Sequence, residues 1–137
     1  MKIYTSYFSN AKKLAEVGIE VIGIALYPPK WFTGLSMKSL APTYSIFKFS
    51  DTQEEYVSRF KAEVLSRLNP KEVVATINNF SRGKDVALCC FEKPNEFCHR
   101  HLVADWLNST LGLNVEEFNS GPKRESKAPP VDTPTLF

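Results

Sequence analysis

Two short apolar runs, residues 20–27 (Glu-Val-Ile-Gly-Ile-Ala-Leu-Tyr) and 86–91 (Val-Ala-Leu-Cys-Cys-Phe), constrain the fold more than any other feature of the chain. Neither alternates apolar with polar residues, so each reads as a strand covered on both faces, the habit of a parallel sheet between helix layers. The segments around them carry helix signals. Residues 10–17 are helix-compatible and stop at Gly18. Thr52 with Glu55 forms a capping box ahead of Tyr56, Phe60, Val64, Leu65 and Leu68 at helical spacing. Asn69-Pro70-Lys71-Glu72 opens another helix through Val73, Val74, Ile77 and Phe80. Pro94 and Asn95 introduce a fourth, carrying Leu102, Val103, Trp106, Leu107 and Leu111 and closed by Gly112.

Residues 2–7 and 114–118 read as further strands, and 35–49 as irregular chain with one short strand near 44–49. Strands alternating with helices give an α/β fold, a mostly parallel sheet with helices on both faces, three layers in the Rossmann-like or flavodoxin-like manner. With 137 residues there is material for one domain. It is expected over 1–118, followed by a Pro-rich tail over 119–137.

Charge excludes one class of function. Seventeen Lys and Arg against 15 Asp and Glu are too evenly balanced for a surface devoted to a polyanion, although a local basic site stays open. No apolar run reaches the roughly 18–20 residues of a membrane-spanning helix. The start Met1-Lys2-Ile3-Tyr4 lacks the apolar core of a secretory signal, and the three cysteines form no even framework. The expectation is a cytoplasmic protein with free thiols and no membrane partner. No feature specifies an oligomeric state.

The chemistry-bearing stretch runs from Cys89 to His101, joining the second apolar strand to a helix start. Ligands of open parallel sheets bind at such strand ends. With Asn95 as the cap, Cys98 becomes the third helical residue, near unpaired backbone N–H groups that lower a thiol pKa. Arg100 adds a planar charged fork suited to phosphate or carboxylate. His99, three and four residues before Leu102 and Val103, is expected to face inward, and His101 to be solvated. Glu92 is placed to orient His99 or to pair with Arg100.

The catalytic candidates are therefore Cys98, His99 and Glu92. The candidate ligand contacts are Arg100, Thr5, Ser6, Tyr7, Lys30 and Trp31, with Tyr27 and Trp31 able to stack on a base. Cys89 and Cys90 read as packing residues. A zinc set of Cys90, Cys98 and His101 has suitable softness but lacks a second tight ligand pair. No P-loop, dinucleotide-binding glycine signature or nucleophile elbow is present. No metal and no cofactor is expected.

Cys90-Phe91-Glu92 with Cys98-His99-Arg100, followed by Leu102-Val103-Ala104-Asp105-Trp106-Leu107, resembles the family catalogued as domain of unknown function 488. Its hallmark is a strand ending in Cys-x-Glu, a short loop, then Cys-His-Arg. The resemblance covers about 1–118, including Ile3 through Asn10, Ala41-Pro42 and the Glu54-Glu55-Tyr56 helix. Many members carry Gly-His-Ser after the first strand and Asp-x-Arg on the second. This chain has Thr5-Ser6-Tyr7 and, by approximate alignment, Gly23-Ile24-Ala25 there.

The resemblance implies the fold and the site's location and leaves the activity open. The leading expectation is a domain that binds a small anionic ligand, a nucleotide or a nucleic-acid component, at the Cys98 helix start, with Cys98 as nucleophile where there is catalysis. Its rival is a non-enzymatic interaction module in which the motif is a structural polar network. A third reading is a redox pair of Cys98 with Cys90. The short basic run from Lys123 to Lys127 reads as a solvated tail segment.

Overall fold

A computed structural model describes residues 1–91 and 97–118. Five strands form one sheet: β1 (Ile3–Tyr7), β2 (Glu20–Gly23), β3 (Leu35–Ser36), β4 (Val86–Cys90) and β5 (Glu116–Glu117). The order is β3-β2-β4-β1-β5, and every pair is parallel. The α/β class with helices on both faces is as expected. The distinctive feature is that β4 inserts between β1 and β2, with Ile3 opposite Val86 and Tyr7 opposite Cys90 on one side, and Glu20 opposite Val86 on the other. β4 is thus central, and all five of its residues are buried.

The pleat divides the sheet's side chains between two cores. Ile3, Ile22, Val86 and Leu88 point to the face covered by α2 (Tyr44–Phe49), α3 (Gln53–Glu63), α4 (Pro70–Ser81) and α5 (His99–Leu111). That core receives Ile46, Phe60, Val73, Ile77, Val103 and Leu107 from the helices. The opposite face packs Ala87 and Cys89 with Phe8, Ile19 and Leu14 of α1 (Ala11–Glu16). Gly23 lies on this side, where an added Cβ would stand 3.1 Å from the Phe8 ring and 3.2 Å from the Phe32 ring.

Helix ends follow their signals. Thr52 caps α3 by accepting from Glu55 N at 3.0 Å, and Asn69 caps α4 by accepting from Lys71 N at 2.9 Å. Gly112, at φ +67°, closes α5. Three expectations are corrected. Residues 44–49 are the helix α2, not a strand: Thr43 Oγ1 accepts from Ile46 N at 3.1 Å, and Ile46 alone of the six residues is buried. α3 stops at Glu63 and a 3-10 turn over Leu65–Arg67 replaces its last predicted turn. α5 begins at His99 with Cys98, in extended conformation (φ −155°), as its N-cap, so Cys98 is not a residue of the first helical turn. The expected cap Asn95 and the tail 119–137 lie outside the described residues. No helix among the described residues is long and apolar enough to cross a membrane.

Candidate functional site

The connections after β1 and β4, which are neighbours, leave toward opposite faces: α1 goes to one core and α5 to the other. Such a switch point opens a crevice at the carboxyl ends of the strands. On the α2–α3 side of that end lies a cavity of about 670 Å³. Its walls include Tyr27, Phe47, Tyr56, Phe91 and Phe97, and it reaches Cys90, Cys98 and His99. Tyr27 and Phe47, both more than half exposed, meet edge to face with ring centroids 6.0 Å apart and form its rim. Tyr56 and Phe97 meet edge to face at 5.0 Å deeper in. No Lys or Arg is among the described residues that line it.

His99 is buried, as its spacing predicts, and both ring nitrogens have assigned surroundings. Nε2 lies 2.6 Å from the Ile24 carbonyl, which can only accept, so Nε2 carries the proton. Nδ1 therefore presents a lone pair, 3.7 Å from Cys98 Sγ. Burial pushes the ring's pKa down to about 4, outweighing the lift from the Ile24 carbonyl, so the imidazole is neutral at physiological pH. Cys98 is buried too, and the structure joins it to Cys90 in a disulfide whose Cα atoms are 7.3 Å apart. Cys89, buried within β4, has its thiol pushed up to about 12 by burial and is inert at neutral pH.

Arg100 does not face the cavity. It has no exposed surface, and its Nε and Nη2 donate to the two carboxylate oxygens of Glu117 at 3.1 Å each, the bidentate geometry of a strong ion pair. Nη1 donates to Cys90 Sγ at 3.1 Å. Thr5 Oγ1 donates to Glu117 at 2.7 Å, so one network runs from β1 through β5 and α5 to the end of β4. The fork expected to hold a ligand anion is occupied by a side chain of the protein.

The other candidates separate in the same way. Ser6 is buried and accepts from Asn10 Nδ2 at 3.2 Å, and Tyr7 is half-buried at the end of β1 beside Cys90. Trp31 is exposed against Phe8 and walls a second hollow of about 430 Å³ next to α1, with Lys30 exposed beside it. The structure does not bring these two residues to Cys98. Glu92 lies outside the described residues. His101 is corrected: its Nε2 is shielded from solvent, without a hydrogen-bond partner among the described residues, and burial lowers its pKa.

Sequence reasoning missed Glu117, the Ile24 carbonyl and the aromatic wall from α2 and α3. The Asn114-to-Phe118 strand signal put Glu117 on the sheet, but nothing in one sequence pairs it with Arg100.

Fold and site together define a small α/β domain with two buried cysteine sulfurs, joined in a disulfide, and an imidazole at the floor of an aromatic crevice. Residues 8–111 match the family model described as DUF488-N3a, the active DUF488-N3 subclade. The chain belongs to the family of domain of unknown function 488. No curated protein and no solved structure is similar enough to it to count as a match.

Proposed function

We propose that the chain binds a nucleobase-bearing ligand in the crevice and acts on it through Cys98 and His99 at the crevice floor. The observation that carries this reading is the wall itself. Five aromatic rings from four separate segments surround a space of about 670 Å³, large enough for a nucleoside, and end on the Cys90–Cys98 disulfide sulfurs and a neutral imidazole. Rings of this kind hold planar π-systems whatever the base, each stack contributing about 1–3 kcal/mol. The absence of Lys and Arg among the described lining residues favours the base over the phosphate as the buried part. Lys38, whose Nζ donates to the Leu26 carbonyl at 2.9 Å, puts a positive charge on the loop that walls the crevice and suits a phosphate at its mouth. Arg100 then belongs to the architecture, the one part of the motif for which the structural-network reading has an observation in its favour.

Calorimetric titration of the reduced chain with nucleosides, nucleotides and single-stranded DNA tests the proposal. Heat of binding that Phe47→Ala and Tyr56→Ala reduce about tenfold or more, without a matching loss of stability, is the expected result. Absence of binding to every one of these ligands overturns it.

A further inference from the structure

The geometry points to a site for a soft divalent cation, Zn²⁺ by its ligand chemistry, held by Cys90 Sγ, Cys98 Sγ and His99 Nδ1 with its fourth position on the crevice. One ligand atom from each of these three buried residues lies within 4.8 Å of the other two. Two thiolates and an imidazole are a set zinc prefers, and three protein ligands with one open position are the pattern of its catalytic sites. His99 is prepared for the role. Its Nε2–H is fixed on the Ile24 carbonyl, the arrangement by which metal-binding histidines set their tautomer, and the remaining lone pair at Nδ1 is the one beside Cys98. Cys90 has its own supporting contact from Arg100 Nη1.

Charge and distance agree with this assignment. Two thiolates neutralise the cation, and Arg100 is already neutralised by Glu117, so the buried group carries no net charge. The Cα atoms of Cys90 and Cys98 are 7.3 Å apart, beyond the roughly 4.4–6.8 Å that disulfides usually span. Two sulfurs on one tetrahedral zinc, each about 2.3 Å from it, lie roughly 3.8 Å from one another and need no closer approach of the backbone. Cation and disulfide exclude one another. A thiol reductant supplies two electrons and two protons to the disulfide, and the resulting thiols release both protons to solvent as the cation binds.

The inference uses the reading above only for what meets the fourth position: a water or a ligand oxygen polarised by the cation, with Cys98 acting as ligand and not as nucleophile. The full chain, reduced with a phosphine and kept anaerobic, is titrated with Co²⁺ and then Zn²⁺. Expected are thiolate-to-cobalt charge-transfer and tetrahedral d–d absorption saturating at one equivalent and erased by zinc. Loss of a first-sphere ligand in Cys98→Ser, Cys90→Ser or His99→Gln lowers affinity by about a hundredfold or more, beyond the effect of removing a supporting contact. Cys89→Ser binds like the parent.

Alkylation of the unmodified chain gives a readout that does not depend on a variant's folding: zinc protects Cys90 and Cys98 from iodoacetamide. A reduced chain that takes up no cobalt, or thiols that zinc leaves unprotected, overturns the inference. Metal binding without nucleobase binding leaves this site standing and removes the proposed function. Nucleobase binding by a chain that takes no metal does the reverse.

Discussion

Three consecutive side chains of one motif divide between two places, Cys98 and His99 at the crevice floor and Arg100 on Glu117, and their backbone positions explain why. Cys98 is the N-cap of α5, so its side chain leaves before the helix begins; His99 and Arg100, about 100° apart around the first turn, diverge toward Ile24 and Glu117. The motif was legible in the sequence as a cluster of chemistry-bearing residues, but its partners were not, since Ile24 is 75 residues from His99 along the chain and Glu117 is 17 from Arg100. Arg100 looks like an anion fork to any reading that cannot see which carboxylate reaches it first. The pair makes a sharp stability prediction. Glu117→Gln leaves the guanidinium buried and half-partnered, so urea unfolding is expected to show a loss on the order of 3–5 kcal/mol. The double change Arg100→Met with Glu117→Leu, which removes both charges, recovers most of it. Equal losses in the single and double variants would mean that the ion pair is not what holds β5 to α5.

At the scale of elements, what was legible depended on whether local signals and burial agreed. α4 follows its sequence closely because Asn69, Pro70 and the spacing of Val73 and Ile77 all specify the same helix. β4 does so because an unbroken apolar run has only one use in a parallel sheet. α2 was hidden for the opposite reason. Tyr44, Phe47 and Phe49 are aromatic residues that favour strands, and they remain exposed, so propensity and burial conflict and tertiary packing of Ile46 decides. Six residues cannot hold a helix in water unaided, which makes its cap important. Thr43→Ala removes the acceptor for Ile46 N and is expected to cost about 1 kcal/mol in thermal or urea unfolding. Phe47 at the crevice rim is carried by this helix, so the same variant is expected to weaken ligand binding even though Thr43 itself does not line the crevice. Unchanged stability in Thr43→Ala would show that packing alone sustains α2.

For the whole molecule, the buried imidazoles tie folding to pH. His99 titrates near 6.5 in an unfolded chain and is pushed down to about 4 when folded, so as pH falls the unfolded chain takes the proton first. Its contribution is fully present above about 6.5 and is lost progressively toward about 4, by roughly 3 kcal/mol at most. His101, also lowered by burial, acts in the same direction. Asp105 opposes them, because burial raises its pKa and the folded chain then binds its proton more readily. Its side chain is exposed to solvent and faces the attraction of Lys61, so screening reduces its share. Glu63, held low by Arg59 at the surface, begins to matter only near its ordinary value of 4.5. Between pH 7.5 and 5 the histidines therefore dominate. Urea midpoints of the reduced chain with a chelator present are expected to fall over that interval. In His99→Gln, which keeps a donor for the Ile24 carbonyl and cannot be protonated, the fall is expected to be markedly shallower. Parallel pH profiles for the two proteins would show that His99 takes up its proton as readily in the folded chain as in the unfolded one, and the lowered pKa that keeps its ring neutral would be refuted.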